Sequence, residues 1–109
     1  MENIFFNGLN KLDSFEIATI ERITTEYYSK FDRSIKNVAL RVAIKKCDIE
    51  GKRAKYALTA RIENPQIRPI VSASASDWDL ARVSHKLMNK LLSEIEHRLK
   101  IKGHLPKRN

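Results

Sequence analysis

The sequence of 109 residues predicts an α+β domain whose elements follow the order strand, helix, three strands, helix. Two stretches alternate apolar and polar residues, as half-buried strands do. Two longer stretches repeat apolar residues every three or four positions, as helices do. Three consecutive strands that hairpins can join, with a helix before and after, favour a mostly antiparallel four-stranded sheet with two helices packed on one face.

The first two elements are a short edge strand and a helix. The apolar run Ile4-Phe5-Phe6, which Asn7-Gly8 ends, predicts the strand. Asp13 followed by Glu16 predicts a capping box at the start of the helix. The predicted core face of this helix consists of Ile17, Ile20, Ile23, Tyr27 and Phe31.

The central part of the chain predicts a meander of three strands. Residues 37–45 alternate strictly, and after a loop at 46–52 a second strand alternates up to Ile62. Asn64-Pro65 marks a turn, and residues 67–76 form the third strand. The residues predicted to face the core are Val38, Leu40, Val42, Ile44, Ala54, Tyr56, Leu58, Ala60, Ile62, Val71, Ala73 and Ala75.

The longest helix is predicted to follow and to run to about residue 101. Its apolar face consists of Leu80, Val83, Leu87, Leu91, Ile95 and Leu99. Ser76 is the predicted N-cap, with Asp79 completing the capping box and Trp78 anchoring the helix. Gly103 is the predicted stop. We therefore expect one domain over residues 1–102 and a basic, disordered tail over residues 103–109.

The charge of the chain points to an acidic partner. The formal net charge is +8, and it is uneven: residues 1–32 sum to −3, residues 33–76 to +7 and residues 77–109 to +4. A small domain this basic is typical of nucleic-acid binders. The single cysteine, Cys47, and the lack of an apolar run of about 20 residues or a basic leader favour a cytoplasmic protein with no membrane partner.

No catalytic or metal site is predicted. His85, His97 and His104 are 12 and 7 residues apart, which does not match the spacing of metal ligands within one turn. Cys47 has no histidine near it in the sequence, and Asp77 and Asp79 are explained by the start of the helix. We therefore expect a binding protein that is not an enzyme, with no cofactor, no metal and no small-molecule substrate.

Two sets of basic residues are candidates for RNA binding. On the second helix they recur at three- and four-residue intervals over about 27 Å, a spacing that can follow a phosphate backbone. The helix set is Arg82, Lys86, Lys90, His97 and Lys100. The strand set is Arg41, Lys45, Arg53, Lys55 and Arg61. Few aromatic residues remain outside the predicted core, so structured RNA recognised through shape and phosphates fits better than stacking of single-stranded bases.

The order of elements and one segment resemble a known family. Residues 3–101, and above all the passage Ala73-Ser74-Ala75-Ser76-Asp77-Trp78-Asp79-Leu80 leading to Lys86, Lys90 and Leu91, resemble the hibernation-promoting factor and ribosome-associated inhibitor family. The resemblance implies binding in the decoding region of the small ribosomal subunit, contacts to rRNA and inhibition of translation during slow growth or stress. It also implies a short form, without the further domain by which long members pair ribosomes.

Two other interpretations remain open. A double-stranded-RNA-binding-like module shares the helix, three strands and helix, but usually has lysines at the start of its second helix, where Asp77 and Asp79 stand here. A homodimeric interaction protein with no RNA role would use the open sheet face, where Ala39, Ala43 and Ala57 alternate.

Overall fold

The computed structural model describes residues 3–35, 37–51, 53–64 and 71–101. The order of its elements confirms the predicted β-α-β-β-β-α arrangement. The elements are β1 Asn3–Asn7, a short 3-10 helix Leu9–Lys11, α1 Ser14–Ser34, β2 Ala39–Glu50, β3 Arg53–Glu63, β4 Val71–Asp77 and α2 Leu80–Ile101.

The four strands form one mixed sheet in the order β1-β2-β3-β4. β1 runs parallel to β2, and the β2–β3 and β3–β4 pairs are antiparallel. The parallel pair follows from the connection, because α1 crosses over the sheet between β1 and β2. The edges of the sheet are therefore β1 and β4, and β2 and β3 form its centre.

The core lies between the two helices and one face of the sheet. The alternating residues predicted to face inward on β2 and β3 are all buried, which confirms the period-two pattern. On α2 the residues Val83, Leu87, Leu91 and Ile95 are fully buried, as predicted. The adjacent α1 residues Tyr27 and Tyr28 are also buried, so neither ring is available to a partner at the surface.

The predicted capping box at the start of α1 is present. The backbone N–H of Glu16 donates to the carboxylate of Asp13 over 2.8 Å, and the backbone N–H of Asp13 donates to the carboxylate of Glu16 over 2.9 Å. Two of the amide groups that a helix N-terminus leaves without partners are thereby satisfied.

Two predicted boundaries are wrong. β2 continues through the predicted loop to Glu50, with a register shift between Cys47 and Ile49. A β-bulge inserts a residue without ending the strand, so the break in alternation there was mistaken for a loop. The N-cap of α2 is Asp79 and not Ser76, because the backbone N–H of Arg82 donates to the Asp79 carboxylate over 3.0 Å, while Ser76 belongs to β4 and pairs with Ala57 of β3.

Some predictions fall on residues that the structure does not describe. These are the first residues of the third predicted strand (67–70), the stop at Gly103 and the basic tail over 103–109. Among the residues described, no helix has the length and apolar character that a membrane-spanning segment requires.

Candidate nucleic-acid interface

The strand set lies on the sheet face opposite the helices. Arg41, Lys45, Arg53 and Arg61 are exposed there, and Lys55 is half-buried. The register places Arg41 beside Arg61 at one end of the face, whereas Lys55 lies beside Cys47 towards the other. Small residues separate the two ends, namely Ala43, Ala57 and Thr59. The open face therefore has two basic ends and a flat centre.

Glu63 joins the two arginines at the first of these ends. Its carboxylate accepts from Nε of Arg41 and from Nε of Arg61, each over 3.0 Å. The hydrogen bond from Arg41 contributes most to lowering the pKa of the Glu63 carboxyl below its usual 4.5. One carboxylate thus holds two guanidinium groups in place and leaves this end with a net positive charge.

Phe5 is a site residue that the sequence interpretation missed. It lies opposite Arg41 in the β1–β2 register, and the Arg41 guanidinium carbon is 4.7 Å from the centre of its ring. The ring is 46% exposed, while Ile4 and Phe6 are half-buried and pack against the core. The signal was present in the run Ile4-Phe5-Phe6, because the middle residue of three on a strand must point away from its neighbours.

The helix set lies along α2 beside the edge strand β4. Arg82, Lys86, Lys90 and His97 are exposed, as predicted. Lys100 belongs to α2, but its side chain lies outside the part that the structure describes. Nζ of Lys90 donates to the backbone carbonyl of Ser74 over 2.8 Å, so this lysine bridges the helix and the edge of the sheet.

Asp77 organises the start of the helix set. Its carboxylate accepts from Nε and Nη2 of Arg82 over 2.9 and 2.8 Å, and from Nζ of Lys86 over 3.1 Å. The backbone N–H groups of Trp78 and Asp79 also donate to it. The bidentate bond from Arg82 contributes most to holding the pKa of Asp77 far below its usual 3.8. Asp77 is therefore a clamp for two cations at the end of β4, a role that its sequence position did not reveal.

The two basic surfaces meet at β4. A groove of about 620 Å³ lies between this strand and α2. It is lined by Ser72, Ala73, Lys86, Asn89, Lys90, Ser93 and Glu94. On the open face, the exposed serines of β4 pair with β3, with Ser72 opposite Arg61. A basic surface therefore continues from the open face, around the β4 edge, to the polar side of α2.

The remaining polar candidates have structural contacts. Nδ1 of His85 lies 3.2 Å from the Tyr27 hydroxyl, with the two rings edge to face. Cys47 is a half-buried free thiol. Within the described ranges, no three His, Cys, Asp or Glu side chains are grouped so as to hold a metal ion.

Comparison with known proteins shows a likeness of fold to solved structures. No protein-family model matches this sequence. No curated protein sequence matches it either. Among solved structures, the N-terminal domain of Protein Y from Thermus thermophilus is similar, with a TM-score of 0.52 and 14% sequence identity. The match covers 88% of this chain and 96% of that one, so the likeness extends over the whole fold.

Proposed function

We propose that this protein binds the small ribosomal subunit, occupies its decoding region and keeps ribosomes inactive during slow growth or stress. The observation on which the proposal rests is the basic surface that continues around the β4 edge. Two lines of reasoning support it. The chain shares its fold with the N-terminal domain of Protein Y, and the segment from Ala73 to Leu91 resembles the hibernation-promoting factor and ribosome-associated inhibitor family.

The spacing of the helix set suits an RNA backbone. Arg82, Lys86 and Lys90 are each four residues apart and exposed on one side of α2. Successive side chains of such a set are separated by about one turn of helix, roughly 6 Å. That separation lets them contact neighbouring phosphates of one strand, the contacts that position a protein on a nucleic acid. Asp77 pairs with the first two of these cations, so RNA phosphates would have to displace its carboxylate from them.

The distribution of charge would orient the protein. α1 contains most of the acidic residues of the N-terminal third, and it packs against α2, which itself covers β3 and β4. α1, whose four carboxylates against three basic residues give a net charge of −1, therefore lies away from the β4 edge. A molecule with charge so divided would approach a polyanion with its basic side first.

Occupation of the decoding region is itself the inhibitory act in this proposal. The site would have to be filled, and no bond would have to be made or broken. The proposed function therefore needs neither a catalytic residue nor a cofactor, and it places the protein with ribosomes in the cytoplasm.

Co-sedimentation with purified small subunits tests the proposal. Lys86→Gln with Lys90→Gln removes two positive charges from the helix set, and Arg22→Gln with Arg33→Gln removes two from exposed positions on α1. We expect the first pair to weaken binding and to reduce the salt slope by about 0.7–0.9 for each phosphate that the variant no longer neutralises. We expect the second pair to bind as the wild type does. Wild-type protein that stays at the top of a low-salt gradient contradicts the proposal.

Competition in the same assay and a mass measurement separate the other two interpretations. A module for double-stranded RNA would be displaced from ribosomes by plain duplex RNA, whereas a decoding-region binder would not. A homodimer would show twice the monomer mass in light scattering at high protein concentration. Two copies facing each other through the open face would bring the Arg41–Arg61 and Lys45–Lys55 ends into contact with further positive charge, which opposes that pairing.

A further inference from the structure

The open sheet face has a feature that phosphate contacts do not require, an exposed aromatic ring beside paired arginines. We propose that Phe5 and Arg41 form a stacking platform for one unpaired nucleotide of a single-stranded RNA. This inference rests on the proposed function, and it identifies single-stranded RNA as the class of RNA that the strand set binds.

The first step of the argument is the position of the ring. Phe5 stands in the middle of β1 and is 46% exposed. The register aligns Phe5, Arg41 and Arg61 in one row across three strands. Adjacent strands are about 4.8 Å apart, so this row presents an aromatic ring and two cations within roughly 10 Å. Aromatic rings and guanidinium planes are the surfaces on which proteins stack unpaired bases.

The second step is the space beside the ring. A groove of about 340 Å³ is lined on the open face by this row and by the next row, which is formed by Asn7, Ala43 and Thr59. That volume lies at the small end of the range of ligand pockets, about 300–1,000 Å³. The side chain of Ala43 is small and therefore leaves the centre of the groove open. The exposed side chains of Asn7 and Thr59 make no hydrogen bond within the described residues, and both can bond to the edge of a base.

The third step is charge. Glu63 is the only acidic residue of β3, and β2 has no acidic residue before Asp48. It contacts both arginines through Nε, which orders the two guanidinium groups and leaves their terminal amino groups to bind a phosphate. A surface with an aromatic ring, amide and hydroxyl groups and excess positive charge complements a nucleotide better than it complements a second copy of the same basic face.

The fourth step is the choice of single-stranded RNA over duplex. In a duplex the faces of the bases are covered by their neighbours, and a flat sheet cannot enter the narrow major groove of an A-form helix. An unpaired base can instead lie against the exposed guanidinium of Arg41 and the part of Phe5 that this guanidinium leaves exposed. Among the described residues the open face has one exposed aromatic side chain, so the platform binds one base. Arg61 and Lys45 would then contact the neighbouring phosphates.

Fluorescence anisotropy with the full chain tests the platform. The probes are an unstructured, labelled RNA of about 12 nucleotides and the same RNA annealed to its complement. We expect the single strand to bind more tightly than the duplex, and Phe5→Ala to weaken single-strand binding about 5- to 100-fold. Phe5→Tyr, which keeps an aromatic face, should bind as the wild type does. Phe15→Ala is the matched control, since this residue is 79% exposed but stands on α1, on the other side of the sheet.

A positional measurement completes the test. Ultraviolet cross-linking of the single-stranded probe, followed by mass spectrometry, should place the modified peptide at Phe5. Equal effects of Phe5→Ala and Phe15→Ala, equal affinity for single strand and duplex, or a cross-link only on α2 would each overturn the platform. None of these measurements uses ribosomes, so the platform can fail while the co-sedimentation result stands. Conversely, Phe5-dependent binding of the probe can persist where ribosome binding is absent.

Discussion

The hydroxyl of Tyr56, on the inner face of β3, donates a hydrogen bond to the carboxylate of Glu16 in the first turn of α1. The same carboxylate accepts from Nζ of Lys46 on β2 and from the backbone N–H of Asp13. Glu16, which completes the capping box of α1 with Asp13, therefore also attaches this helix to the two central strands. Burial, followed by the hydrogen bond to Glu16, raises the pKa of Tyr56 well above its usual 10.

Glu16→Ala should destabilise the protein more than any other acidic substitution on α1. It removes the half of the capping box in which Glu16 accepts from the backbone N–H of Asp13, and it leaves the Tyr56 hydroxyl and Lys46 without their partner, so we expect a loss of about 2–3 kcal/mol in the free energy of unfolding. Urea unfolding followed by circular dichroism measures it. Glu21→Ala, at an exposed position of the same helix, should change stability by no more than about 0.5 kcal/mol. Similar losses of unfolding free energy for both variants would show that the contacts of Glu16 with Tyr56 and Lys46 do not stabilise the protein.

The Glu16 contacts should also shape the response to acid. Burial raises the pKa of Glu16, but the hydrogen bonds from Tyr56, Asp13 and Lys46 outweigh it and leave the pKa below its usual 4.5. A lowered folded-state pKa gives stability that is present above the unfolded-state value and is lost as the pH falls through the folded-state value. Unfolding measured between pH 7 and pH 3 should therefore show the gap between wild type and Glu16→Gln closing below about pH 4.5. A gap that stays constant over this range contradicts the expectation.

Gly8 should tolerate substitution far less well than Gly51. Both have positive φ angles, 100° and 60°. A Cβ at position 8 would overlap the carbonyl oxygen of Ile44, whereas a Cβ at position 51 would meet open space. We expect Gly8→Ala to cost about 2–4 kcal/mol, from backbone strain and overlap together, and Gly51→Ala to cost about 1 kcal/mol from strain alone. Thermal unfolding of the two variants gives the comparison, and equal losses would mean that the backbone at Gly8 moves to make room.

Asp77→Asn should strengthen ribosome binding if the proposed function holds. The substitution releases Arg82 and Lys86 from their carboxylate and removes one negative charge from the β4 edge. We expect tighter binding with a salt slope steeper by about 0.7–0.9 for each further phosphate that the protein neutralises. Asp32→Asn makes the same change of charge on α1 and should have little effect. Weaker binding by Asp77→Asn would mean that the carboxylate positions the two cations and does not compete for them.

The periodic part of the fold was predictable from the sequence, and the exceptions have local causes. Alternation identified Leu40, Val42, Leu58 and Ile62 as core, because one face of an antiparallel pair must be buried while the other meets water. The bulge after Cys47 broke the alternation without ending β2. A bulge is defined by the pairing with the neighbouring strand, so the residue pattern of one strand alone does not predict it.

The site was less predictable than the fold. Charge and spacing selected Lys86 and Lys90 correctly as exposed residues of one helix face. They could not show that Asp77 would clamp Arg82 and Lys86, since both Ser76 and Asp77 are ordinary residues for a helix start. Nor did they select Phe5, because the apolar run Ile4-Phe5-Phe6 was used only to predict an edge strand. Tertiary contacts decided the role of Asp77, whereas the exposure of Phe5 follows from strand alternation.

The hydrogen bond from Lys90 to the carbonyl of Ser74 has a consequence for solubility. β4 alternates serine and alanine from Ser72 to Ser76, a flat, silk-like composition on an edge strand. Such an edge offers unpaired backbone groups on which the strand of another molecule can add. A lysine that occupies one of these carbonyls obstructs that addition. The side chain assigned to RNA would thus also protect the folded protein against fibrous self-assembly when it accumulates.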